Sequence, residues 1–166
     1  PGSNVIFQPR CRLECVNFYT LRSHQYWFLL YFSISLSQVR LIKDINTNGS
    51  SIPQEAFIHE NTLYFSAVGD DTGRELWKTD GTETGTLLVQ DYFQNSNSTT
   101  PSRFYSLNTS EFIFVGSGLG IGKEVLISDG NTISLFEDFH TGNPDSNPDW
   151  FAEGNFGGGE KIFFSA

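Results

Sequence analysis

Gly73-Arg-Glu-Leu-Trp-Lys-Thr-Asp-Gly-Thr82 is answered 49 residues later by Gly122-Lys-Glu-Val-Leu-Ile-Ser-Asp-Gly-Asn131. Two further blocks recur in step with it. Leu41-Ile-Lys-Asp44, Leu88-Val-Gln-Asp91 and Leu135-Phe-Glu-Asp138 repeat at intervals of 47 residues, and Pro53, Pro101 and Pro148 follow them. The alternating run Leu63-Tyr-Phe-Ser-Ala67 returns as Phe112-Ile-Phe-Val-Gly116 and Ile162-Phe-Phe-Ser-Ala166. Blocks of three kinds in one order at one period define a repeat, with units 41–86, 87–134 and a shortened 135–166.

The apolar runs are short and rich in Phe, Tyr, Ile and Val, and clusters of Gly, Asn and Asp separate them, which is the pattern of strands. Asp80-Gly81 and Asp129-Gly130 favour tight turns and are expected to close hairpins onto the following strand. Gly69 to Gly73 and the Gly116-Ser-Gly118-Leu-Gly120-Ile-Gly122 run are expected to form the preceding hairpin loops. One period therefore holds three or four antiparallel strands, too small a sheet to bury its own faces. The predicted fold class is all-β, with antiparallel repeat sheets arranged as β-propeller-like blades in an incomplete array. A β-sandwich or β-solenoid is the alternative.

Gly73 to Thr86, flanked by Leu63–Ala67 and Leu88–Asp91, resembles the ELWxTDGTxxGT repeat of bacterial secreted and surface proteins. The resemblance covers 41–166. In the second unit Leu126 replaces Trp77 and the Gly85-Thr86 ending is not kept; the third stops at Ala166 before its ELW block. It implies blade-like tandem repeats in an exported protein and carries over no catalytic residue. Neighbouring repeats of a longer chain are the implied packing partners, and the chain, which contains no Met and starts at Pro1, is expected to be a fragment of a larger protein.

Charge is divided unevenly. Residues 1–37 carry Arg10, Arg12 and Arg22 against Glu14, whereas 38–166 carry seven Lys or Arg against eighteen Asp or Glu. An acidic body with no basic stripe excludes nucleic acid as an expected partner. The apolar run 26–36 is too short to span a membrane, which takes about 20 residues. It has the length of a signal-peptide core, with Arg22 as its positive flank and Ser35 and Ser37 before a cut at Gln38. Residues 1–37 are thus expected to be a leader, and the protein extracellular or on the cell surface. Cys11 and Cys15 fall inside that leader, and 38–166 contain no Cys.

Candidate sites are few. Asp44, Asn46, Asn48, Gly49 and Glu55 satisfy the spacing of a calcium loop, with oxygen ligands at alternate positions and a Glu at the twelfth. No helix is expected on either side, Pro53 interrupts the loop, and Ser51 stands where an apolar residue locks such loops. The expected reading is a polar turn, with calcium at Asp44, Asn46, Asn48 and Glu55 as the alternative. Asp70-Asp71 and Asp145 to Asp149 read as solvated acidic turns. Gly116 to Gly122 lacks the Lys-Ser/Thr pair and the following helix that hold a phosphate. His24, His59 and His140 are scattered, His59 reading as a surface or half-buried residue, and no nucleophile elbow is present. Trp77 and Leu126 share one position, which suits apolar packing. Asn48, Asn97 and Asn108 each begin an N-x-[ST] sequence.

The function expected from these features is a non-enzymatic extracellular structural or binding module without a cofactor. Its partner would be an extracellular protein or a glycan. The alternatives are a carbohydrate- or calcium-dependent adhesin domain and the non-catalytic part of a secreted hydrolase.

Overall fold

A computed structural model describes residues 5–7, 40–142, 144–157 and 159–166. The expected signal core 26–36, its cut before Gln38, and Cys11, Cys15 and His24 lie outside the described residues. Those residues contain no helix. Strands β1 (Val5–Phe7) and β2 (Arg40–Lys43) pair antiparallel. Strands β3 (Gln54–His59), β4 (Thr62–Val68), β5 (Arg74–Thr79) and β6 (Leu87–Gln90) form one antiparallel meander. Strands β7 (Ser102–Ser106), β8 (Phe112–Gly118), β9 (Gly122–Ser128) and β10 (Ile133–Glu137) form a second in the same order. Strands β11 (Asp149–Phe156) and β12 (Gly159–Ser165) form a third, two-stranded sheet. The protein is all-β and antiparallel. The Leu-Val-Gln-Asp block lies at the last strand of a sheet, so the hydrogen-bonded sheets run from β3 to β6 and from β7 to β10.

Alternation along each strand sends successive side chains to opposite faces. On one face of the first sheet Phe65, Ala67 and Trp77 close over Ile42 and Ile45, with Leu63 and Leu88 beside them. On its other face Tyr64 and Leu76 meet Phe112, Phe114, Leu126 and Ile133 of the second sheet. The first sheet is thus covered on both sides. Leu126 occupies in the second sheet the place of Trp77 in the first, and both are buried. Rings fill this inter-sheet layer. Phe57 stacks on Phe104 at 5.3 Å between centroids, and Tyr64 tilts against Phe112 at 4.6 Å, the offset and tilted geometries that aromatic quadrupoles favour. Ring contacts continue to the third sheet, where Phe164 meets Phe139 edge-on at 5.0 Å and tilts against Phe151 at 5.4 Å.

Backbone conformation repeats with the packing. Ile52, Thr100 and Asn147, each just before a proline, have φ of +40°, +50° and +50°. Glu55, Arg103 and Trp150, three residues further on, have φ of +55°, +52° and +58°. Each of these sits where the first strand of a sheet slips register against the second. Left-handed conformations cost such residues about 1–3 kcal/mol each, so surrounding contacts must hold them. The amide of Val68 donates to Ser51 O at 2.8 Å, and that of Ser117 to Thr99 O at 2.7 Å.

Both Asp-Gly turns close hairpins as expected. Asp80 Oδ1 accepts the Thr82 amide at 2.9 Å, and Asp129 Oδ1 accepts those of Asn131 and Thr132 at 2.8 and 2.7 Å. The Gly-rich run differs from expectation: Gly116 and Gly118 are buried within β8, and only Leu119–Ile121 turn. A Cβ on Gly116 would lie 2.8 Å from Thr99 Cγ2, and one on Gly118 2.7 Å from Tyr92 Cε1. These glycines exist to let the segment between the sheets lie against β8. His59 also differs from expectation: it closes β3 and is buried, its ring among Phe57, Tyr64 and Phe112 and its Nδ1 3.0 Å from Ser106 Oγ.

Gly81 and Gly130 test the sheet contact. Both have positive φ, but a Cβ at Gly81 meets open space, whereas one at Gly130 falls 2.2 Å from Tyr64 Oη. Gly81→Ala should cost only the left-handed penalty of about 1–2 kcal/mol. Gly130→Ala should cost clearly more, read as a larger drop in Tm in parallel thermal melts.

Candidate functional site

The chemistry of the chain concentrates at the connections between sheets. Leu76 pairs with Gln90 and Val125 with Glu137, so the next residues, Asp91 and Asp138, stand across from Glu75 and Glu124. Directly opposed residues share a face, and like charges there oppose each other. Glu75 and Glu124 are fully buried. Glu75 Oε1 accepts the Thr99 amide at 2.9 Å. Glu124 Oε1 accepts the Ser146 amide at 3.0 Å, while its Oε2 takes Ser146 Oγ at 2.5 Å and the Phe139 amide at 3.3 Å. Asp91 Oδ2 accepts the Asn95 amide and Asp138 Oδ2 the Gly142 amide, at 3.1 and 3.2 Å.

The neighbouring bonds match too. The Arg74 amide donates to Ser98 Oγ and the Lys123 amide to Asp145 Oδ1, at 2.9 and 2.8 Å. Thr100 and Asn147 return their amides to Arg74 O and Lys123 O. One hydrogen-bonded clamp is therefore built twice, from the Glu of one block and the Asp of another. Asp91 Oδ1 in the first copy and Asp138 Oδ1 in the second are buried without a hydrogen-bond partner. Burial pushes the Glu75 carboxyl from its ordinary value of 4.5 up to about 7, against the pull of the Thr99 and Tyr92 hydrogen bonds and with help from the Asp91 charge.

The residues of the calcium pattern are arranged differently. Asp44 is exposed; Asn46 is buried, its Nδ2 donating to Ser50 O at 3.3 Å. Asn48 Nδ2 and its amide both donate to Asp70 Oδ1 at 3.3 Å. The Thr47 amide reaches that same atom at 2.6 Å, and Thr47 Oγ1 lies 3.1 Å from both Asp70 oxygens. Glu55 is exposed on β3. The loop is thus folded around Asp70, which lies outside the pattern. Among the described residues, no three His, Cys, Asp or Glu side chains gather in a group able to hold a metal ion.

Two clefts flank the second sheet. One, of about 210 Å³, is lined by Tyr92, Phe93, Gln94, Asn95, Asn97 and Leu119. Five of these residues belong to the segment that the Glu75 clamp holds, and none carries a charge. Asn97 Nδ2 donates to Gln94 O at 3.0 Å. The other, of about 250 Å³, lies between the second and third sheets, with Tyr105, Ser106, Glu153, Glu160 and Lys161 on its walls. There Tyr105 Oη donates to Glu153 Oε2 at 2.6 Å, and that bond, then burial and the charges of Glu153 and Glu160, push the phenol up to about 12. Neither cleft was legible in the sequence; the recurrence of a Glu and an Asp block was the one signal pointing to the clamp.

No family profile, curated protein or solved structure matches the chain. The class that fold and site define is a structural one, an all-β protein of antiparallel sheets joined by carboxylate-clamped connections.

Because the Glu75 pKa is raised by folding, the folded state holds its proton more tightly than the unfolded chain. That contribution to stability is complete below pH 4.5 and is lost as pH rises through about 7. Glu75→Gln keeps an oxygen for the Thr99 amide and removes the titration, so the decline of Tm between those limits should flatten in the variant. A slope unchanged from the parent would contradict the assignment.

Asp70→Ala removes the acceptor around which Thr47 and Asn48 fold and should cost about 1 kcal/mol. On the polar-turn reading, millimolar calcium leaves the parent Tm unchanged. A calcium-induced rise abolished by Asp44→Ala or Glu55→Ala would instead establish an ion at that loop.

Proposed function

We propose that this chain is a non-catalytic, exported repeat module. Its sheets are successive blades of a propeller-like array, and the connections between them face an extracellular partner. The observation that carries the reading is the clamp built twice from the same two sequence blocks. A carboxyl group buried in each of the two four-stranded sheets serves to fix where one sheet hands over to the next.

The packing supports blades over the alternatives. A two-layer sandwich leaves one face of each sheet to solvent, whereas the first sheet here is covered on both. A solenoid pairs strands between successive coils, whereas each four-stranded meander here is hydrogen-bonded within one period. The first strands of successive sheets also come together, β3 beside β7 and β7 beside β11, as blades do around a common axis. Side chains at equivalent positions twice bridge neighbouring sheets. Lys43 Nζ donates to Thr86 O at 2.8 Å, and the Ile133 amide donates to Gln90 Oε1 at 2.8 Å, 47 residues on.

Export rests on Arg22, the apolar run 26–36 and the small residues before Gln38, together with the acidic body that follows. Expression with the leader in a secreting host should release a protein into the medium whose amino terminus lies near Gln38. Amino-terminal sequencing that finds residues 1–37 retained on soluble intracellular protein would overturn it.

A further inference from the structure

We propose that the cleft lined by Tyr92, Phe93, Gln94, Asn95, Asn97 and Leu119 binds a neutral saccharide. The proposal deepens the reading of the chain as an exported binding module, on which its biological setting rests. A sugar ring offers apolar C–H faces and a rim of hydroxyls that both donate and accept. The cleft answers both needs. Tyr92 and Phe93 supply aromatic surface, which combines a large apolar area with low flexibility. Gln94, Asn95 and Asn97 supply side-chain amides, each with two N–H donors and a carbonyl acceptor. A chain of net charge −9 places no charged side chain on this wall, so neither cations nor anions are selected. At about 210 Å³ the cleft is smaller than the 300–1,000 Å³ typical of drug-sized ligands, and suits one ring.

The walls are held in place before any ligand arrives, and such preorganisation lowers the cost of binding. Thr99 hangs on Glu75, Asn95 is bonded through its amide to Asp91, and Asn97 is bonded to Gln94 O. Tyr92 lies against Gly118, where only a hydrogen fits, and belongs to the inter-sheet core. The equivalent stretch of the next connection reads Phe139, His140, Thr141 and Gly142, which replaces Gln94 and Asn95 with residues lacking an amide. The cleft is therefore specific to the first connection.

The test uses the 166-residue chain from a host without N-glycosylation, because Asn97 begins an N-x-[ST] sequence and its own glycan would cover the cleft. Methyl glycosides of glucose, galactose, mannose and N-acetylglucosamine are titrated by saturation-transfer NMR and calorimetry. Saturable binding of at least one, with Kd of about 1 mM or tighter, is expected. Phe93→Ala and Gln94→Ala, each checked for an unchanged melt, should weaken it at least tenfold, and a sialic acid glycoside should bind no better than the neutral sugars. Absence of binding up to about 50 mM, or binding indifferent to both substitutions, overturns the proposal. These measurements are made in vitro and do not depend on export. A failed titration on a protein whose leader is cleaved removes the saccharide site alone, and a retained leader removes the export reading alone.

Discussion

A buried carboxylate that accepts backbone amides from the next connecting segment organises this molecule. Glu75 takes the amide of Thr99, and Glu124 takes those of Ser146 and Phe139. A carboxyl group removed from water is costly unless hydrogen bonds replace its hydration. The connecting segments therefore have little freedom about where to lie. With Thr99 fixed, its carbonyl receives the Ser117 amide, which sets β8 against the connection. Burial of Gly116 and Gly118 follows, because nothing larger than hydrogen fits beneath Thr99 and Tyr92.

The same fixation explains how the chain tolerates left-handed residues at Ile52, Thr100 and Asn147. Each is a β-branched or polar residue just before proline, where the extended region is preferred. A single segment forced into such a conformation would relax. Here the residue on its amino-terminal side is anchored, Thr99 and Ser146 by the buried glutamates and Ser51 by the Val68 amide. The downstream slip of register at Glu55, Arg103 and Trp150 then turns the chain into the first strand of the next sheet. Strain and clamp are two sides of one repeated corner.

Fixing the corners also sets what surfaces are available. The sheets are occupied with one another, their apolar faces matched from Ile42 and Ile45 through to Phe139 and Phe164. The loops that remain are rigid at their bases. Tyr92, Phe93, Gln94 and Asn95 stand on such a base and line an open cleft, unlike the Asp44–Glu55 loop. In that loop Thr47 and Asn48 already direct their donors to Asp70.

The all-β antiparallel class and the two Asp-Gly hairpins were legible in the sequence because each depends on residues a few positions apart, while the choice of four strands over three came from the structure. Alternation in Leu63–Ala67 and Phe112–Gly116 is a local pattern, and Gly81 and Gly130 declare their turns whatever surrounds them. Trp77 and Leu126 were legible as one packing position because the blocks align. By contrast, Glu75 and Asp91 recur in separate blocks, and only the β5–β6 register sets them face to face. His59 is buried because β7 and β8 cover it. Gly116 and Gly118 lie in a strand because Thr99 and Tyr92 press on them, and Asp70 organises the 44–50 loop from more than twenty residues away. By itself the sequence determined the strands, the turns and their period, which follow from short-range sterics and alternation. Only the tertiary structure decided which polar groups are buried together and where a cleft opens, because those depend on contacts between segments that no local pattern encodes.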